Sequence, residues 1–205
     1  FFPLLIILLP FPFLLHHISR EPIRIQSVEV RFLETLRRVF KDAAMRWIVL
    51  VYSLFVFSSG GVISFLPTFL IENSGVSFAF ASSAFALVYA VGILAKPTSG
   101  FVSDHIPRPI VAGGSLAIAG TGIGILVVVS NSVAVIGGVA IYALGQRGVP
   151  PALQAFLMDW FPDESMGGDL GAMRAIYMTV GSLGPGFTGF VISEYGFISA
   201  YVILL

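Results

Sequence analysis

The chain is 205 residues long, 57% hydrophobic and 11% charged, with 11 basic and 11 acidic side chains that cancel to a formal net charge of zero. A water-soluble domain carries roughly 25% charged residues, so composition excludes one, and balanced charge gives nucleic acid no basic surface to hold. Cysteine is absent, which excludes disulfides and thiolate metal sites.

The opening run, residues 1–15, is apolar from Phe1 to Leu15. It has neither the basic leader nor the small-residue cleavage site of a signal peptide, and it reads as the tail of a membrane helix that begins upstream. Residues 16–46 follow as the one long polar stretch. Within it Phe32, Leu36, Val39 and Phe40 recur at helical spacing, and Glu34 stands four residues before Arg38. That pattern predicts an amphipathic helix lying on a membrane face; a solvated charged loop is the alternative.

From residue 47 to residue 205 the chain is dominated by apolar runs. Crossing about 30 Å of hydrocarbon takes roughly 20 apolar residues. Runs of that kind extend from Trp47 to Ile71, Phe78 to Phe101, Ile110 to Ser130, Val133 to Met158 and Leu170 to Ser193, and a further one begins at Phe197. Their length argues for helices over buried strands. They lack the period of two that a lipid-facing barrel needs. The predicted class is therefore all-α, a polytopic membrane helical bundle.

Orientation follows from the basic residues. Arg20, Arg24, Arg31, Arg37, Arg38, Lys41 and Arg46 precede the first full span, and Arg108 lies two crossings later on the same side, with Lys96 and Arg174 near that side's helix ends. The opposite connections, Glu72 to Ser77, Asn131 to Ser132 and Glu194 to Gly196, hold no lysine or arginine. The basic side is expected to face the cytoplasm of a cell membrane.

Three stretches resemble the major facilitator superfamily. Gly100 to Arg108 (GFVSDHIPR) is similar to its cytoplasmic loop G-x-x-x-D-(R/K)-x-G-(R/K), with His105 and Pro107 as departures. Met158 to Ser165 (MDWFPDES) resembles the D-x-F-P-x-E run, followed here by Met166 where the family often has Arg. Gly181 to Gly189 (GSLGPGFTG) is similar to a G-x-x-x-G-P-x-x-x-G helix. The resemblance implies a six-helix half-bundle, and a helix tail plus basic loop ahead of the first full span matches the carboxyl-terminal half. On that reading the chain is a fragment, running from the end of helix six to the start of helix twelve. Its partners would be the lipid bilayer, a small-molecule substrate and the missing amino-terminal half.

Several residues stand out as candidates. Gly92, Lys96, Gly100 and Asp104 are spaced by four, which places them along one face at the cytoplasmic end of a span. Arg108 is then within reach of Asp159 or Asp163. The functional reading is a latch that holds one state; the plain reading is a loop obeying the positive-inside bias. Arg147 lies about 14 residues into its span, roughly 21 Å along the axis. A guanidinium there costs at least ~2.5 kcal/mol unless it meets water or a partner. It is expected to line the substrate path, with Gln146, Tyr142, Tyr89 and Tyr52 as companions. Alternatively, a carboxylate from the other half neutralises it. Pro150 and Pro151 are expected to bend that helix. Gly60, Gly61 and Pro67 are expected to weaken the first full helix. Gly181, Gly184, Pro185 and Gly189 are expected to serve close helix packing.

Catalytic motifs do not emerge. His16, His17 and His105 lack metal-ligand spacing, and no Gly-rich phosphate loop occurs. No metal, cofactor or enzyme activity is expected. The predicted function is secondary active transport by alternating access, with drug efflux and organic-anion uptake both open. A membrane-embedded transferase using Asp159, Asp163 and Glu164, or a pore, are the rival classes.

Overall fold

The computed structural model describes residues 28–205, and within them six helices follow one another: α1 Val28–Lys41, α2 Ala43–Ser74, α3 Phe78–Ser103, α4 Arg108–Val128, α5 Ser132–Trp160 and α6 Met166–Leu204. The apolar run of residues 1–15 and the first part of the polar stretch, with His16 and His17, lie outside the described residues. Helices α2 to α6 are each long and apolar enough to cross a membrane. The fold class read from the sequence is the observed one.

Local chemistry sets where each helix starts and stops. Asp42, Ser77 and Asn131 cap α2, α3 and α5, their side chains accepting from the backbone N–H of Met45, Phe80 and Ala134 at 3.0, 3.3 and 2.8 Å. Such caps satisfy first-turn donors that have no partner within the helix. Gly75 ends α2 with φ 64°, a conformation that suits glycine. Gly196, with φ 79° and ψ 171°, breaks α6.

The chain reverses at Gly196. Before it, Gly181, Gly184 and Gly189 meet Val56, Phe57 and Phe65 of α2 in ascending order. After it, Tyr201 stacks on Phe69 at 3.9 Å and Leu204 accepts a hydrogen bond from Ser58 at 2.6 Å, a descending order. The last residues therefore start a further pass beside α2.

Short connections between the long helices make sequence neighbours antiparallel. Helix α5 packs against α3 on one side and α4 on the other, while α2 packs against α6. Small residues fit the α4–α5 contact: a Cβ at Gly145 would strike the backbone of Ser115 and Ala119, and one at Gly122 that of Tyr142. Helices in lipid gain little from hiding apolar surface from one another, so close backbone approach is what holds them.

The buried core has two parts. A first cluster contains Leu66, Phe69, Val88, Ile123, Val139, Tyr142 and Tyr201. A second cluster, at the end of the bundle that carries α1, contains Val39, Met45, Tyr52, Leu153, Leu157, Phe161 and Met173. Large apolar side chains such as Ile93, Leu94, Val133, Leu183 and Phe190 point outward, where hydrocarbon rather than water suits them.

Candidate functional site

Between the two apolar clusters runs a belt of polar and small residues. On α5 the first cluster ends at Ala143 and the second begins at Val149; Gln146, Arg147 and Gly148 lie between. Ser58 and Ser59 hold the same level on α2. Gln146 donates from Nε2 to the Ser59 hydroxyl at 2.7 Å, and the Ser99 hydroxyl of α3 donates to the Gly148 carbonyl at 2.6 Å. The belt thus joins α2, α3 and α5 through polar contacts at mid-depth, where lipid offers none.

Arg147 is the charged member. It stands near the middle of the 29-residue α5, so about 20 Å of helix lies on either side of it. Its guanidinium carbon sits 4.5 Å from the centroid of the Tyr89 ring, a cation–π contact. Gly92 makes room for it: a Cβ there would come within 3.1 Å of the arginine Cγ. The nitrogens Nε and Nη2 are buried and, among the described residues, have no hydrogen-bond partner; the amide oxygen of Gln146 is in the same condition.

A cavity of about 310 Å³ adjoins the belt, lined by Ser58, Ser59, Leu116, Ile123, Tyr142 and Gln146 among others. Tyr142 is buried at its edge. Tyr52 lies elsewhere. It stacks on Tyr177 at 4.1 Å in the second cluster and borders a separate small pocket with Gln154 and Arg174. Of the five substrate-path candidates, four are therefore grouped and Tyr52 is apart.

The helix ends nearest α1 and the α3–α4 connection carry two ion pairs. Arg108, at the start of α4, pairs with Asp159 near the end of α5 at 2.8 Å and also donates to the Ala155 carbonyl. Asp163 is exposed in the loop beyond. Asp104 forms the carboxyl-terminal cap position of α3 and is exposed, as is Lys96. A Cβ at Gly100 would meet nothing within 4 Å. The four-residue spacing therefore does not trace the packed face of α3, which runs through Val88, Gly92, Ala95, Ser99 and Ser103. A stripe at i, i+4 drifts around a helix of 3.6 residues per turn, and the buried set follows the true period.

The second pair joins the polar helix to the bundle. Asp169, 1% exposed, accepts hydrogen bonds from Thr35 and from Ser165 at 2.7 Å, with Arg38 at 3.4 Å. Sequence reading missed this cluster. Its signals were the four-residue step from Ser165 to Asp169 and the three-residue step from Thr35 to Arg38, each of which puts two polar groups on one helix face. Helix α1 turns Thr35 and Val39 inward while Phe40 stays 55% exposed, so its apolar face is narrower than expected.

The remaining candidates are placed as follows. Gly60 lies against Gly181 and Pro185, and Gly61 against Thr188; Gly189 faces Phe65. The α2 helix runs on through Gly60, Gly61 and Pro67 without interruption, and α5 through Pro150 and Pro151.

The sequence model of the Major Facilitator Superfamily matches residues 2–146 and, in a second alignment, residues 48–205. No curated protein matches the chain. Five apolar crossings, a polar belt at mid-depth and a family match extending over nearly every residue lead to one statement: the chain belongs to the major facilitator superfamily of membrane transporters.

Proposed function

We propose that this transporter works as a secondary carrier, exposing one binding site to each side of a cell membrane in turn. The observation that carries the reading is the belt through Ser59, Gln146 and Arg147, which interrupts an otherwise apolar core halfway along the helices. Carriers of this type bind their substrate near the bilayer midplane and rock two halves about it. A charged group at that depth is costly unless function retains it.

On this reading the described bundle is the carboxyl-terminal half of the carrier, residues 16–46 form its cytoplasmic central loop, and an amino-terminal half closes the other side of the path. The Arg108–Asp159 pair ties the α3–α4 junction to the end of α5. It acts as the latch of the outward-facing state and opens when the cytoplasmic side gapes. Within residues 34–205 no carboxylate stands midway along any of the five long apolar helices, so a proton-coupling acid in this carrier belongs to the amino-terminal half.

The test is transport by the full-length protein in proteoliposomes. Saturable uptake that is accelerated by substrate on the far side, with no single-channel currents, is the expected result. Channel-like conductance would replace the carrier reading with a pore. Loss of a chemical turnover on exchanging Asp159, Asp163 and Glu164 for amides would replace it with a transferase.

A further inference from the structure

We infer that Arg147 is the docking point for the carboxylate of a small organic anion, with Tyr89 as its cover; the inference rests on the carrier reading above and names the substrate class. Three observations converge. First, the two unpartnered nitrogens, Nε and Nη2, are those that form one edge of the guanidinium. That edge presents two parallel N–H groups, the fork that matches the two oxygens of a carboxylate. An arginine held for packing or for a single carbonyl has no need to keep that whole edge free.

Second, no ion pair reaches Arg147 among the described residues, where the ion pairs are Arg38–Asp169 and Arg108–Asp159. Of the acidic side chains of residues 34–205, Glu34 lies on α1, outside the five long apolar helices, and the others (Asp42, Glu72, Asp104, Asp159, Asp163, Glu164, Asp169 and Glu194) stand toward a helix end, beside the break at Gly196 or in a connection. A cation shielded from water and lacking a counter-ion is an unbalanced charge, and an incoming anion gains by neutralising it.

Third, the surroundings are prepared. The Tyr89 ring lies over the guanidinium face, yet Tyr89 is itself 51% exposed, so it is able to swing aside without breaking the core. Phe85 meets Tyr89 edge-on at 5.4 Å, continuing an aromatic surface for an apolar ligand body. Gly92 lets the arginine stem lie close against α3. The ligand these features fit is a monocarboxylate with an aromatic or apolar body; a bulky lipophilic cation is excluded by charge.

The experiment uses the purified full-length protein with three probes: benzoate, its uncharged counterpart benzamide, and tetraphenylphosphonium. Thermal melting in detergent and counterflow in proteoliposomes are read for each. Benzoate should raise the melting temperature and drive counterflow, and benzamide should do neither. Arg147→Gln should abolish the benzoate effect. Arg147→Lys, which keeps the charge and guards against a folding defect, should weaken benzoate by about tenfold or more because the fork is lost. A benzoate response that survives both substitutions would overturn the inference, as would the absence of any benzoate response. In the second case, saturable counterflow of tetraphenylphosphonium would leave the carrier reading standing, with Arg147 neutralised by a carboxylate of the amino-terminal half. Failure of all counterflow would remove both.

Discussion

A methyl group added at Gly145 meets the backbone of Ser115 and Ala119, whereas one added at Gly124 meets nothing within 4 Å. The two glycines look alike in the sequence and differ only in what faces them. Gly145→Val should lower the melting temperature of the detergent-solubilised protein markedly, in line with overpacking costs of about 1–3 kcal/mol. Gly124→Ala should leave it unchanged or raise it slightly, since alanine is the better helix former; equal effects of the two would contradict the packing described. The Arg108–Asp159 pair, with the carboxylate 60% exposed, is worth only about 0–1 kcal/mol in stability. Asp159→Asn should therefore barely change melting. It should instead raise the rate at which a cysteine at Ser99, on the packed face of α3, reacts with maleimide added on the side of the α3–α4 connection. At this scale Arg147 was legible because an arginine inside an apolar run is expensive and calls for a reason. Gly92 is harder to read, because residues on different helices share no spacing. The four-residue step groups it with Lys96, Gly100 and Asp104, yet it faces the arginine stem.

Whole helices were more legible than their contacts. The hydropathy runs located all five crossings, and the ends shifted by a few residues because the caps Asp42, Ser77 and Asn131 are polar and fall outside an apolar window. The reversal at Gly196 fits the short polar break from Glu194 to Gly196. Helix α1 is the element whose role the sequence did not disclose. Its helical spacing was visible, but spacing says nothing about the buried carboxylate that receives Thr35 and Arg38. Removing one partner from a buried polar cluster costs about 1–3 kcal/mol. Asp169→Asn is thus expected to loosen α1 from the bundle. The readout is a cysteine placed at Val39, 1% exposed in the native structure, whose maleimide labelling should accelerate at least about fivefold. Unchanged labelling would mean that apolar packing of Val39 against Met45, Leu157 and their neighbours in the second cluster, and not Asp169, holds the helix.

At the scale of the molecule, the outward-facing apolar side chains and the inward polar belt make sense together only in a bilayer. Water would punish the exposed Ile93, Leu94 and Phe190, while hydrocarbon would punish the belt if it were not enclosed by α2, α3 and α5. The same division explains the charge pattern, with the arginines of α1, Arg108 and Arg174 gathered at one end of the bundle. The central claim is that the chain threads the membrane back and forth, so that the α2–α3 connection and the α3–α4 connection face opposite sides. These 205 residues contain no cysteine, so single cysteines report cleanly within them. In intact cells carrying the full-length protein, Glu72→Cys should react with a membrane-impermeant maleimide, and His105→Cys should react only after permeabilisation. Reaction of both in intact cells, or of neither until the membrane is opened, would contradict the account.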